Sequence, residues 1–168
     1  MKAMVLHNPK RPLRLEDLPE PQPGKNQVKL RVEACGICRT DLHVLDGELP
    51  APKLPLVMGH QIVGQIVELG EGVHDCTVRS ATVSVFPGWV GVAGRATTAV
   101  GTAKIFVKKQ NTPDNLTRRD GEEFLPLAVR ADIKPTVRSY GLPDVNRALD
   151  DLRNGAFTGS GVIVLQAN

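Results

Sequence analysis

Aromatic residues and cysteines are scarce in this sequence, and their scarcity excludes several classes of protein. The aromatic residues are one Trp, one Tyr and four Phe among 168 residues. Together with sixteen glycines and thirteen prolines, this composition predicts many short strands and turns rather than a helical bundle. Three cysteines, two of them only three positions apart, are not typical of the disulfide framework of a small secreted domain.

The charge and hydropathy patterns exclude two further classes. The net charge of +3 is scattered along the chain without a basic block or a stripe of interleaved aromatics, so nucleic acid is not an expected partner. No apolar window reaches the length of a membrane span, and the N-terminal residues lack the sustained apolar run of a signal peptide. We therefore expect no membrane partner and a cytoplasmic location.

Alternating apolar residues predict a half-buried strand over residues 27–34. They place Val28, Leu30, Val32 and Ala34 on one face, and the strand leads directly into a cysteine-containing loop. Other strands are predicted at residues 1–7, 13–18, 61–69, 133–140 and 161–165, and helices at residues 40–46, after Thr117 and at residues 143–153.

The segment from Cys35 to Gln61 concentrates residues that bind metals. It holds two of the three cysteines and two of the four histidines, and zinc prefers thiolate and imidazole ligands. By itself, Cys35-x-x-Cys38 is compatible with half a zinc knuckle, a redox pair or two buried small residues. No second cysteine pair completes a four-cysteine site. The motifs RTDLH at residues 39–43 and PLVMGH at residues 55–60 favour a catalytic metal site.

A family resemblance is carried by residues 32–73, VEACGICRTDLHVLDGELPAPKLPLVMGHQIVGQIVELGEGV. This stretch resembles the zinc-dependent alcohol dehydrogenases of the medium-chain dehydrogenase/reductase family. The similarity begins at Met1, continues to about Asp75, and resumes with NLTRRDGEEFLPLA at residues 115–128. It implies a mainly β fold with a few helices, a GroES-like partial barrel. It also implies the family's reaction, which transfers hydride between a small alcohol or aldehyde and NAD(P) at a catalytic zinc.

The resemblance assigns two zinc ligands and two residues next to them. Cys38 and His60 correspond to two ligands of the catalytic zinc, and Asp41 to the carboxylate that orients a ligand. Gln61 stands where the family usually has Glu, and losing that carboxylate should alter ligand exchange at the metal. From the residues alone, Asp41 is also compatible with capping a turn, and His60 with packing in the core.

The resemblance also assigns a proton path and a cofactor contact. Thr40 corresponds to the residue that accepts the alcohol's proton and passes it toward His43, which from the residues alone is as well explained as a solvated surface residue. Arg39 corresponds to a residue that faces the cofactor pyrophosphate.

Several parts of the family's enzyme are missing from the sequence. Nothing matches its third zinc ligand, its four-cysteine structural zinc lobe or the Gly-rich fingerprint of its doubly wound nucleotide-binding (Rossmann) domain. We therefore predict an incomplete zinc site and no binding of NAD(P) by this chain.

Residues 78–114 differ from the rest of the chain in amino-acid composition. They are rich in Gly, Ala, Val and Thr, and their apolar residues show only weak periodicity. If their codons are read one base out of frame, they can encode I-G-D-R-V-G-V-P, followed by C-G-x-C-x-Y-C and E-N-L-C-E. In this order, these segments match the structural zinc lobe of the family that is missing from the sequence. We infer a frameshift near residue 78 and a deletion near residues 114–115 that removes the nucleotide-binding domain. The coding DNA tests this inference, because a shifted frame without the cysteine-rich lobe contradicts it.

The predicted organisation has three parts. Residues 1–77 form the first part of a GroES-like catalytic domain, residues 78–114 an aberrant, frameshifted or disordered segment, and residues 115–168 the last part of the catalytic domain. The predicted function is that of a zinc-dependent alcohol dehydrogenase-like oxidoreductase in a truncated form that is inactive alone. The alternatives are a zinc-binding module without catalysis, with Cys35 or Asp41 as an added ligand, and a gene remnant without selected activity.

Overall fold

Strands predominate in a computed structural model that describes residues 1–49, 53–74, 97–99, 102–106 and 118–165. The strands are β1 (Lys2–Leu6), β2 (Arg14–Asp17), β3 (Gln27–Ile37), β4 (Leu56–Val57), β5 (Gln61–Leu69), β6 (Thr97–Ala99), β7 (Thr102–Phe106), β8 (Val137–Tyr140) and β9 (Ser160–Val164). The helices are α1 (Arg39–Leu45), α2 (Arg118–Arg130) and α3 (Val145–Arg153), and a 3-10 turn, Leu142–Asp144, precedes α3. The prediction of a mainly β fold with a few helices is confirmed.

The longest strand, β3, organises the larger of the two sheets. It pairs antiparallel with β5 over residues 28–36, with β7 over residues 27–31 and with β9 over residues 34–37. The strand order is β6-β7-β3-β9-β8, with β5 also paired to β3, and the smaller sheet has the order β2-β1-β4. Among the described residues neither sheet closes into a barrel, and β8 with β9 is the one parallel pair.

The alternation predicted for β3 changes phase before the strand ends. Val28, Leu30 and Val32 are buried as predicted, but Ala34 is only partly buried while Cys35 is buried. The register between β3 and β5 shifts between Val32 and Ala34, as in a β-bulge. Because an extra residue reverses which side chains face inward, the bulge turns Cys35 toward the core.

The first and last parts of the chain share one hydrophobic core. Its buried members are Met4, Leu6, Leu13, Leu42, Leu45, Tyr140, Val145, Ala148, Leu149 and Ile163. Polar contacts support the same packing: Arg153 of α3 donates two hydrogen bonds to the carboxylate of Asp46, at 2.8 and 2.7 Å. The C-terminal elements therefore complete the fold that the N-terminal strands begin.

The predicted division into three parts falls partly outside the described residues. The structure does not describe residues 75–96 or 107–117, which contain both predicted boundaries. Inside the predicted aberrant segment it describes β6 and β7, and β7 pairs with the first half of β3. The boundaries and the frameshift remain predictions.

Candidate metal centre

Cys38 joins the end of β3 to the start of α1. Its backbone N–H donates a hydrogen bond to Asp41 Oδ2 at 2.8 Å. An acidic side chain at the third helical position commonly caps a helix in this way, because it satisfies an N–H that lacks a helical partner. Asp41 therefore fixes the backbone from which the Cys38 side chain projects.

His60 reaches the same place from the start of β5. The pairing of Gly36 with Gln61 sets β5 against the end of β3. His60 Nε2 then lies 3.1 Å from Cys38 Sγ, and His60 Nδ1 lies 3.3 Å from Asp41 Oδ1. Gly36 leaves room for the Gln61 side chain, since a Cβ there would stand 2.5 Å from Gln61 Oε1.

Cys38, Asp41 and His60 form a group suited to a metal ion. One ligand atom from each residue lies within 4.8 Å of the others. A thiolate, an imidazole and a carboxylate are the donor types found in zinc sites. Asp41 is buried and both of its oxygens already face partners, Cys38 N–H and His60 Nδ1. The donor set fits zinc, with Cys38 Sγ and His60 Nε2, 3.1 Å apart, as the two candidate ligand atoms.

The surroundings of His60 favour a positive charge at this position. The hydrogen bond to Asp41 raises the pKa of His60 to about 9, against the opposing effect of burial, and the charges of Asp41 and Cys38 add to the increase. A buried carboxylate that stabilises a protonated imidazole also stabilises an imidazole bound to a cation.

Cys35 lies near the group but is a poor candidate for a metal ligand. Burial raises the pKa of the Cys35 thiol to about 11, and the nearby charge of Asp41 contributes to the increase. Because the thiolate is the form that binds metals and reacts with electrophiles, Cys35 is held in its unreactive form.

The burial and raised pKa of Cys35 predict that an alkylating reagent distinguishes Cys35 from Cys38. At pH 8, about three pH units below the Cys35 pKa of about 11, roughly one Cys35 in a thousand is a thiolate. Cys38 is half-buried and Cys35 buried, so we expect iodoacetamide to label Cys38 first in the metal-free folded chain, by at least about tenfold. Peptide mass spectrometry measures both sites, and equal labelling in urea is the control. Equal labelling of the folded chain contradicts the prediction.

The structure places the other predicted site residues around α1 and β5. Thr40 and His43 are partly buried and lie one turn apart on α1, but no hydrogen bond joins them. His43 Nδ1 instead contacts the Glu48 carboxylate, a partner that the sequence analysis missed because it follows the helix in a turn. Arg39 is exposed, and Gln61 is partly buried at the start of β5. The roles of these residues remain predictions.

Comparison with known proteins shows which proteins this chain resembles. Residues 24–104 match the alcohol dehydrogenase GroES-like domain. The mainly β architecture is shared with a human synaptic vesicle membrane protein VAT-1 homolog-like protein, with a TM-score of 0.76 and 14% identity over 100% of this chain and 99% of that chain. At this identity the likeness concerns the fold alone.

Two curated relatives are similar to this chain in sequence over about half of its length. An NAD-dependent alcohol dehydrogenase of Sulfolobus acidocaldarius is 44% identical over 97 residues, 54% of this chain and 28% of the relative. An acryloyl-coenzyme A reductase of Sulfurisphaera tokodaii is 40% identical over 85 residues, 51% of this chain and 25% of the relative. Residues 24–104 therefore belong to the alcohol dehydrogenase GroES-like domain family, and over this part the chain is similar to alcohol dehydrogenases of the medium-chain dehydrogenase/reductase family. It spans about a quarter of the length of these relatives.

Proposed function

We propose that this chain carries the metal-binding part of a zinc-dependent alcohol dehydrogenase site. Cys38 Sγ and His60 Nε2, 3.1 Å apart, would hold the zinc, and Asp41 would orient His60 through Nδ1. The observation that carries the proposal is the convergence of these residues from the β3–α1 junction and β5. When bound, the zinc acts as a Lewis acid that lowers the pKa of an alcohol hydroxyl.

We propose the substrate class and the cofactor from the names of the relatives. One relative is an NAD-dependent alcohol dehydrogenase, which supports a small alcohol or aldehyde as substrate and NAD(P) as the family's cofactor. In this proposal Thr40 and His43 pass a proton toward the surface and Arg39 faces the cofactor. Gln61 stands in place of the acidic residue that the family usually has directly after the histidine ligand, which should alter ligand exchange at the metal. We also propose a cytoplasmic location. Among the described residues, no helix is long and apolar enough to cross a membrane.

We further propose that the chain alone does not turn over alcohol. The described residues supply two direct zinc ligands, whereas catalytic zinc sites generally use three. Their one parallel strand pair is β8 with β9, so they contain no doubly wound sheet to hold a nicotinamide cofactor.

A second candidate function is that of a zinc-binding module without catalysis. It is favoured by the shared core of the first and last parts of the chain, which holds the candidate ligands in place. A gene remnant without selected activity is the third candidate, and it predicts no zinc binding.

Zinc titration of the purified chain against a competing chelator dye tests these proposals. We expect one bound zinc per chain, and absence of stoichiometric binding would leave only the remnant. Alcohol-dependent reduction of NAD, followed at the same time, is expected to be absent. Measurable reduction overturns the proposed inactivity while leaving the metal site in place, so the two results are independent.

A further inference from the structure

A groove at the loop between β1 and β2 is lined mainly by basic and polar residues. It has a volume of about 360 Å³, and its walls are His7, Asn8, Arg11, Pro12, Leu13 and Arg14. None of them belongs to the candidate metal-binding group. The volume lies within the range of small-molecule sites.

Contacts with two helices hold this loop in one conformation. The Lys10 backbone N–H donates to the Leu45 carbonyl of α1 at 2.6 Å. Leu13 is buried, and the Asn146 side chain of α3 accepts from its N–H and donates to its carbonyl, each at 2.9 Å. Because the groove is already formed in the free chain, a ligand does not have to order the loop.

The two arginines of the groove lack an anionic partner within the described part of the chain. Arg11 and Arg14 are exposed, and neither forms an ion pair there. The carboxylate of Glu16, on β2, contacts His7 Nε2 at 2.6 Å. The groove therefore presents two uncompensated guanidinium groups.

We propose that this groove binds the phosphate group of a small phosphate ester. Planar guanidinium groups form paired hydrogen bonds with phosphate oxygens. Two guanidinium groups offer more donors than the two oxygens of a carboxylate can accept. A phosphate group presents three oxygens, so it matches the pair better than a carboxylate does. Asn8 adds an amide donor, and Pro12 and Leu13 provide apolar surface for the organic part of the ester.

Titration of the full chain, labelled with ¹⁵N, tests the proposal by NMR at constant ionic strength. Inorganic phosphate is expected to produce saturable shifts confined to the amides near residues 7–14, and phenyl phosphate to bind more tightly. Arg11→Gln and Arg14→Gln are each expected to weaken binding by at least about threefold. Arg11→Lys, which keeps the charge without the planar fork, is expected to fall between wild type and Arg11→Gln.

Arg130→Gln is the matched control, because Arg130 is also an exposed arginine but lies on α2. It is expected to bind phenyl phosphate like the wild type. If Arg130→Gln weakens phenyl phosphate binding as much as Arg11→Gln does, or if the shifts do not saturate, the anion is attracted by charge in general. Either result overturns the proposal. Benzoate binding as tightly as phenyl phosphate overturns the assignment to phosphate. Absence of any shift overturns the site. Unchanged spectra away from the groove establish that the variants are folded.

Discussion

Replacing Cys38 by Ser or His60 by Gln is expected to weaken zinc binding by about a hundredfold or more. Structural zinc sites with four protein ligands bind with about 10–16 kcal/mol, so each ligand contributes on the order of 3 kcal/mol. In this chain the loss is expected to be severe, since each variant leaves one of two direct ligands. Competition with a chelator dye measures the change.

Two further variants separate the ligands from their neighbours. Cys35→Ser is expected to bind zinc like the wild type, because the buried Cys35 thiol, with a pKa of about 11, is not a ligand. Asp41→Asn is expected to weaken binding by about 10–100-fold, the usual cost of losing a residue that orients a ligand. Loss of binding in Cys35→Ser, or wild-type binding in Cys38→Ser, contradicts the proposed ligand set.

The second large effect is expected on stability. Leu149→Ala, in α3, is expected to lower the free energy of unfolding by about 2–5 kcal/mol. Leu149 is 2% exposed and packs in the core shared by both parts of the chain. Truncating it leaves a cavity between α3 and the N-terminal strands, and urea denaturation followed by circular dichroism measures the loss.

Leu15→Ala is the matched control for this prediction, because Leu15 lies on β2 and is 46% exposed. Its expected change is within about 0.5 kcal/mol, as for most surface substitutions. If Leu149→Ala were as mild as Leu15→Ala, the C-terminal elements would not be part of a shared core. A loss in Leu149→Ala alone supports the described packing.

Regular patterns in the sequence predicted much of this fold. Apolar alternation predicted β3, and the helix predicted over residues 143–153 is α3 in the structure. The burial of Cys35 was not predictable in this way, because it depends on a bulge in the pairing of β3 with β5. A bulge is set by tertiary pairing and leaves the local pattern of residue types unchanged.

The candidate metal centre also has a feature that depends on tertiary pairing and that local sequence patterns do not predict. Family motifs predicted Cys38 and His60 as ligands, and the residues alone left two interpretations of Asp41. In the structure one carboxylate makes the contacts that both interpretations require, because Oδ2 caps the start of α1 and Oδ1 faces His60. Sequence spacing predicts the cap, since donor and acceptor are three residues apart. It does not predict the contact with His60, because that contact depends on how β5 is set against β3.

The pairing of β3 with β9 has a consequence for the order of events during synthesis. A chain leaves the ribosome from its N-terminus, and its domains fold as their parts emerge. Residues 34–37, directly before Cys38, pair with residues 161–164, so more than a hundred residues are translated before this edge of β3 meets its partner. Until then the backbone directly before Cys38 has an open edge. A chain stalled before β9 would therefore display this edge of β3 to other unfolded strands.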